Sequence, residues 1–554
     1  MNAPAPLTTA GRVAGAAALI AVLTVAARLA GFARTAVFTW AVGPTDLGSV
    51  YFVANTVPNI IFEIVAGGAL ASLVVPLLAG AVAAGDRPAV AATTGALLTW
   101  TLTLLVPLAV LVALASGPLI GLIGEGLTDA QQHTGERMLW VFAPQLPLYG
   151  VGIVLTGVLQ AHRRFAWPVL APLLSSLTVI TVYLTFLGLA GRRPDIGDVD
   201  LADELVLSGG TTLGVVVLSL SLLIPVRRLG LRPRPGYAFG PEARARVGGL
   251  AVAGVVTVTA QQLALLVILN QISFGPTFAP AVYNLAQTVY LLPWAVLAVP
   301  LAVAAYPTLV AAASGGDADG YRSTLAPAVR GVLLFSSLGA AALVGTAGPV
   351  AAFFLPPSSA GPAAAAIVGF APGLIGYGLF AVLSRALYAR GDTRPATVAI
   401  TVGWLAVPVA ALPLGALLPV DDRVLAVALA NSAGMLLLGA LLLVAVRRAA
   451  GPAALAGSVR AGTAGVVAGS VAALAGAQVA RALAGAGDGT PTTAGTLLAG
   501  MLSGVVVGVV FLAVAYPGDR RDVGPLLAGV LRRLPGRSRA GRPDRTPEDG
   551  KVER

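Results

Sequence analysis

Runs of about twenty or more apolar residues recur along the whole chain, and no other feature limits so strongly what it can fold into. A run of that length is what an α-helix needs to cross the hydrocarbon core of a bilayer, and counting such runs gives about fourteen. The fold class expected is therefore an all-α polytopic membrane protein. Composition agrees, since 57% of the 554 residues are hydrophobic and 11% are charged, against about 25% charged in a soluble domain. Mean hydropathy is +0.87.

The residue inventory excludes several kinds of chemistry. Without cysteine there are no disulfides, thiolate metal sites or thiol nucleophiles, and His133 and His162 are the only histidines. No Walker A loop, paired carboxylates or nucleophile constellation appears, so neither catalytic residues, metal ligands nor a cofactor are expected. The chain reads as a transporter rather than an enzyme. A net charge of +11 would suggest nucleic acid in a soluble protein, but these arginines lie in loops beside membrane spans and imply no such partner. The first apolar run has no clearly separated cleavage site and is read as a retained span.

Loop charges orient the chain. With the N-terminus inside, the internal cytoplasmic loops hold Arg87, Arg163, Arg164, Arg227, Arg228, Arg232, Arg234, Arg244, Arg246, Arg322, Arg390, Arg394, Arg447, Arg448 and Arg460. The outer loops hold only Arg137, Arg192, Arg193 and Arg423 and include the acidic stretch from Asp195 to Glu204. This bias implies cytoplasmic N- and C-termini. The expected organisation is a cytoplasmic N-terminus (1–12), an N-lobe of six spans (13–225), a basic cytoplasmic linker (226–246) and a C-lobe of six spans (247–450). A further pair of spans (451–518) and a disordered basic cytoplasmic tail (519–554) follow. The linker would set topology and attract anionic lipid.

The two lobes read as a parallel repeat. Pro58 and Pro76 in span two (48–80) are paralleled by Pro293 and Pro307 in span eight (280–312). Arg163-Arg164-Phe-Ala-Trp-Pro168 is likewise paralleled by Arg390-Gly-Asp-Thr-Arg-Pro395, and the three offsets agree to within a loop's worth of drift. A substrate path is expected between pseudo-symmetric six-helix lobes.

Charges where lipid should be are the candidate site. Arg28 and Arg34 both lie in span one, where each costs about 2.5–3.5 kcal/mol on insertion scales and so needs a partner, a cavity or a ligand. Six residues apart, they point about 120° apart on a regular helix, and Gly31 between them allows a bend or close packing. In span two, Pro58 frees a backbone carbonyl, Asn59 can bond it, and Glu63 is the clearest intramembrane acid. Glu63 is either the partner of Arg28 or a group that releases it on protonation. Gln261, Gln262, Asn270, Gln271, Asn284 and Gln287 are uncharged candidates for lining a path, or else join helices, and Arg385 is placed at the cytoplasmic mouth. The site is more cationic than anionic, as an anionic substrate requires.

These residues resemble the MurJ/MviN family, the lipid II flippases of bacterial peptidoglycan synthesis within the multidrug/oligosaccharidyl-lipid/polysaccharide exporter superfamily. The carriers are Arg28-Leu-Ala-Gly-Phe-Ala-Arg34, Pro58-Asn59 with Ala66-Gly-Gly-Ala69, Arg164-Phe-Ala-Trp-Pro168 with Ala171-Pro172, Leu292-Pro293, and Leu387 to Pro395. The resemblance implies two six-helix lobes, an appended helix pair and a central cationic cavity in the bacterial cell membrane. It also implies that alternating access moves undecaprenyl-pyrophosphate-linked disaccharide-pentapeptide outward, with cell-wall synthesis proteins as candidate partners. On this reading Arg28 and Arg34 bind pyrophosphate, Glu63 gates or balances them, and span fourteen helps form a groove for the polyprenyl tail. The chain departs from the family pattern at Ser49, where an acid is usual, at Phe62 and Thr288, where arginines are usual, and at Gly67, where glutamate is usual. Those departures keep three alternatives open: an exporter of another polyprenyl-linked glycan, a small cation or drug antiporter, and a non-transporting scaffold for envelope synthesis.

Overall fold

A computed structural model of the chain describes residues 9–64, 68–123, 127–238, 241–485, 492–518 and 520. All regular structure among them is helical. The N-lobe comprises α1 (Thr9–Ala41), α2 (Asp46–Phe62), α3 (Gly68–Ala83), α4 (Arg87–Leu114), α5 (Ser116–Ile123), α6 (Asp129–Phe142), α7 (Gln145–Ala161), α8 (Ala166–Ala190), α9 (Leu201–Leu220) and α10 (Leu223–Arg227). The C-lobe comprises α11 (Pro241–Ser273), α12 (Ala279–Pro293), α13 (Val299–Ser314), α14 (Ala318–Phe354), α15 (Pro357–Phe370), α16 (Gly373–Ala389), α17 (Thr393–Leu417) and α18 (Arg423–Ala450). The appended pair is α19 (Ser458–Gly485) and α20 (Thr493–Gly518).

Twelve helical stretches among the described residues are long and apolar enough to cross a membrane, or thirteen if α15 and α16, bent by 45°, form one span. The difference from about fourteen lies in span two, which appears as α2 and α3 on either side of residues 65–67. Those residues, with Gly67, lie outside the described part of the chain, as does the expected tail apart from residue 520. The basic linker is not a free loop. Trp100 on α4 donates to the Tyr237 carbonyl at 3.1 Å and its ring meets the Tyr237 ring edge-on at 5.1 Å.

The repeat expected from prolines is written more clearly in the helix caps. Gly85 and Gly316 share the offset of Pro76 and Pro307, and both adopt a left-handed φ, 69° and 70°. Each is followed by an Asp amide bonded back to an alanine carbonyl, Asp86 to Ala81 and Asp317 to Ala312. That bond pattern closes a helix C-terminus. The same aspartates then cap the next helix, Asp86 accepting from Ala89 N–H at 2.9 Å and Asp317 from Gly320 N–H at 2.8 Å. The turns after α7 and α16 match too, at a slightly smaller offset: Arg164 N–H bonds Leu159 O, and Asp392 N–H bonds Leu387 O. Measured against those paired bonds, Pro168 and Pro395 are one position out of step, so the proline alignment misses the structural register by one residue.

Helix packing obeys the same offsets. A Cβ on Gly150 in α7 would run into Thr101 and Leu105 of α4, while one on Gly378 in α16 would run into Ser336 and Val332 of α14. Thr101 pairs with Val332 and Leu105 with Ser336 at the spacing that relates Gly85 to Gly316. Without a hydrophobic force between helices in lipid, such close approach at small residues supplies the packing energy. The appended pair follows the same rule, setting Ala461, Ala468, Ala472 and Ala515 with Val507 and Phe511 against Leu334 and Ala341 of α14.

The lobes also touch each other. At the end carrying the acidic 191–204 segment, Arg193 donates to Phe354 O at 2.7 Å, its amide donates to Ala41 O at 2.7 Å, and Phe32 meets Phe354 edge-on at 6.1 Å. Asn270 on α11 reaches Leu122 O at 3.4 Å. Toward the basic end, α3 packs against α11. In the acidic loop, burial pushes the Asp195 carboxyl up from its ordinary pKa, and the charge of Asp46 and a hydrogen bond to it push further.

Two expectations follow from this packing. Gly150→Val and Gly378→Val should each destabilise the protein by about 1–3 kcal/mol through overpacking, while Gly188→Ala, whose Cβ would meet nothing within 4 Å, should be neutral or better in the same thermal unfolding assay. Asp195 has a raised folded pKa, so its contribution is present below the ordinary aspartate value of about 3.9 and is lost as pH rises through the folded value. Asp195→Asn should therefore raise the melting temperature at pH 7, with the gain shrinking as the pH is lowered toward about 4.

Candidate functional site

α1 runs unbroken from Thr9 to Ala41, so Arg28 and Arg34 stand on one regular helix, about 9 Å apart along its axis and facing different directions. Both side chains are exposed. Gly31 between them does not interrupt the helix and has no close neighbour, for a Cβ there would meet nothing within 4 Å. The helix lies along α8 of the N-lobe and also touches α12 and α14 of the C-lobe.

The two arginines address different lobes. Arg34 lies within electrostatic reach of the hydroxyls of Tyr51, Tyr149 and Tyr183 in the N-lobe. Arg28 lies within reach of Tyr377 in the C-lobe. Tyr149 and Tyr377 are repeat mates, in the register of the turns after α7 and α16, and lie within Leu146-Pro-Leu-Tyr-Gly150 and Leu374-Ile-Gly-Tyr-Gly378. Each lobe thus presents the same tyrosine to one arginine of α1. The repeated Leu-X-X-Tyr-Gly pattern is the sequence signal that would have found these tyrosines.

Each tyrosine is held by its own lobe. Tyr149 donates to Gln145 Oε1 at 3.1 Å, hydrogen-bonds Asn59, and has the Phe62 ring at 5.4 Å. Behind it, the Tyr51 hydroxyl joins those of Tyr183 at 2.8 Å and Thr211 at 2.7 Å in a buried chain. Tyr377 is packed by Trp294 at 4.7 Å and Phe380 at 5.5 Å, and its carbonyl accepts from Trp294 Nε1 at 3.0 Å. Trp294 begins a π-helical turn, Trp294–Ala298, directly after Pro293. The two residues that follow α2, Glu63 and Ile64, are π-helical as well. Wide turns of this kind occur often at functional positions.

The expected pairing of Glu63 with Arg28 is not formed. Among the described residues neither Arg28 nor Arg34 is in an ion pair, and both Glu63 and Arg34 lie within electrostatic reach of Tyr149. Asn59 is occupied in two ways, donating to Asn55 O at 2.8 Å besides its bond to Tyr149.

The remaining candidates are not gathered here. Gln287 donates to Tyr283 OH at 2.9 Å, and Gln262 is buried in α11. Arg385 donates to Ala381 O at 2.6 Å beside Tyr306 and Tyr388, about 12 Å further along α16 than Tyr377. It does not stand in for the arginines that the family pattern would add.

The positions that depart from that pattern have definite structural uses. Phe62 packs on Tyr149, and Thr288 is 3.5 Å from Thr35 on α1, one residue beyond Arg34, tying α12 to the arginine helix. Ser49 is fully buried, while Asp46 accepts the Ile196 amide at 3.0 Å at the end of the bundle. Asp46 therefore serves the acidic loop and does not take the place of an acid at position 49. A charge that is structural looks different in this fold. Arg137, expected in a loop, lies within α6 and clasps buried Glu204 of α9 through Nε and Nη2, the closest contact being 2.6 Å.

An apolar groove of about 280 Å³ runs between α14, α15, α16 and α19, lined by Val344, Val368, Ile375, Val466 and Ala473. Its appended wall is α19, whereas span fourteen, now α20, was the expected contributor.

Comparison with known proteins agrees with this architecture. A family model described as lipid II flippase MurJ matches residues 39–487. The probable lipid II flippase MurJ of Synechocystis sp. is 26% identical over 220 residues, 39% of this chain and 40% of that relative. The match thus spans less than half of the relative's length. A solved structure of lipid II flippase MurJ in an inward closed conformation superposes with a TM-score of 0.69 at 18% identity, covering 90% of this chain and 99% of the other. An inward-facing multidrug resistance MATE family transporter of the MOP superfamily superposes with a TM-score of 0.64 at 15% identity, covering 78% and 98%. Those two structures speak to the fold alone. The family model covers most of the sequence, and this chain belongs to the lipid II flippase MurJ family.

Proposed function

We propose that this protein carries lipid II, a polyprenyl-pyrophosphate-linked glycan, from the inner to the outer leaflet of a bacterial cell membrane by alternating access. The observation that carries the proposal is the pair Arg28 and Arg34, paired with no carboxylate among the described residues and turned toward opposite lobes. A pyrophosphate held between them touches both lobes at once, so its binding can be coupled to their relative movement. The tyrosine hydroxyls supply neutral donors to the same anion without adding charge. Glu63, within reach of Tyr149 as Arg34 is, is suited to offset Arg34 when the anion has left.

The basic end is assigned to the cytoplasm on the arginine bias of its loops. The apolar groove against α19 is the proposed path of the polyprenyl tail. No nucleotide-binding loop occurs in the sequence, so the membrane potential or an ion gradient is the proposed driving force. Phe62 and Thr288 remove two cations from the family pattern and favour, as a second reading, a different glycan on the same pyrophosphate carrier.

In cells depleted of their own flippase, the wild-type chain should restore growth and lipid II export. Arg28→Ala and Arg34→Ala should each lower export by about 10- to 100-fold, the loss of a hydrogen bond to a charged group worth about 1.5–3 kcal/mol. Tyr149→Phe and Tyr377→Phe should each cost only a few-fold, since a neutral hydrogen bond contributes about 1 kcal/mol. Wild-type export by Arg28→Ala would remove the proposed role of that arginine.

A further inference from the structure

We propose that the N-lobe carries a second anion site at its basic end, taking a phosphate group, separate from the arginines of α1. A pocket of about 270 Å³ lies there, and Arg87, Arg164 and Arg228 all line it together with His162. The three arginines come from three different segments: the start of α4, the turn after α7, and the residue that ends α10. No carboxylate is among the residues lining the pocket. Asp86, next to Arg87 in sequence, is occupied in capping the Ala89 amide. Among the described residues none of the three guanidiniums is in an ion pair.

The repeat supplies an internal control. The turn after α16 has the same backbone, yet there Arg390 stands for His162 and Asp392 for Arg164. Arg390 donates to Asp392 Oδ2 at 3.0 Å and to Ala449 O at 2.9 Å, and its guanidinium lies over the Tyr321 ring at 5.5 Å. Tyr321 is the repeat mate of Val90, which lines the N-lobe pocket. In the C-lobe a ring occupies this corner and the cation is paired, while Asp392 also borders a separate cavity of about 600 Å³ with Arg394 and Arg448. The N-lobe keeps a small valine, an open volume and three positive groups.

His162 also lines the pocket, its Nδ1–H donating to Val158 O at 2.8 Å, so Nε2 can donate to an anion only when the ring carries a second proton. Three arginines lining one pocket from separate segments suit a group with several charged oxygens, each able to accept in-plane pairs of N–H bonds. A phosphate or diphosphate has that form, whether on a lipid headgroup or free in solution.

The test uses the full-length protein in nanodiscs and reads the melting temperature. One arm titrates inorganic pyrophosphate into phosphatidylcholine discs, and the other replaces part of the phosphatidylcholine with phosphatidylglycerol. At least one arm should raise the melting temperature of the wild type. A response to pyrophosphate identifies a soluble phosphate as ligand, and a response to phosphatidylglycerol alone identifies a lipid headgroup.

The combination Arg87→Gln with Arg164→Gln should weaken the response by about tenfold or more. The combination His162→Arg with Arg164→Asp, which copies the C-lobe turn, should abolish it while preserving the fold. Because the α1 arginines are themselves proposed to hold pyrophosphate, the pocket variants are compared on an Arg28→Gln, Arg34→Gln background, and that background should still respond. No response in either arm overturns the proposal. So does a response kept at full strength in the pocket variants, or one lost with the α1 arginines.

Discussion

The structure turns on two guanidiniums that an apolar bundle leaves without a carboxylate partner among the described residues. A charge of that kind is costly in a low-dielectric setting, and the fold shows that it can be neutralised when the need is structural. Arg137 does so by clasping Glu204 between α6 and α9. Arg28 and Arg34 are treated differently. Among the polar groups within their reach are tyrosine hydroxyls, which soften the local environment without cancelling the charge. A site left positive in this way is complementary to an anion that arrives and departs, and a permanent carboxylate partner would compete with that anion.

The duplicated lobes explain how one helix can present a cation to each side. α7 and α16 carry tyrosines at the same point of the repeat, fixed by the same close contacts at Gly150 and Gly378. α1 holds one arginine within reach of each of those tyrosines, and the two differ in direction because six residues do not complete a whole number of turns. Duplication supplied the symmetric frame, and the proposed function resides where the symmetry is broken. The arginines of α1 are one such place, and the exchange of Asp392 for Arg164 between the two turns is another.

Much of this was legible in the chain. The apolar runs correspond in order to the observed helices, apart from the bend in span ten, with residues 65–67 of span two outside the described part of the chain. The expectation that Arg28 and Arg34 diverge also holds, since it rests only on helix geometry. Glu63 was harder to read. Sequence shows that an acid and a base occupy neighbouring spans, but not which side of α2 the acid faces after a π-helical turn has rotated it. The tyrosines escape a reading of the sequence because aromatic residues are common in membrane helices and acquire meaning only once the repeat spacing is known to the residue.

By itself the sequence determined that the chain crosses a membrane many times, that it is built twice over, and that its first span carries two cations which lipid cannot accommodate. These are local properties, set by the length and polarity of each segment and by the pitch of a helix. Only the tertiary structure decided which groups face those cations, which arginine meets which lobe, and in which of two equivalent turns the cation is paired with a carboxylate. Each of those depends on distances between segments far apart in the chain, and a change of one residue in helix register rotates a side chain by about 100° toward a different neighbour.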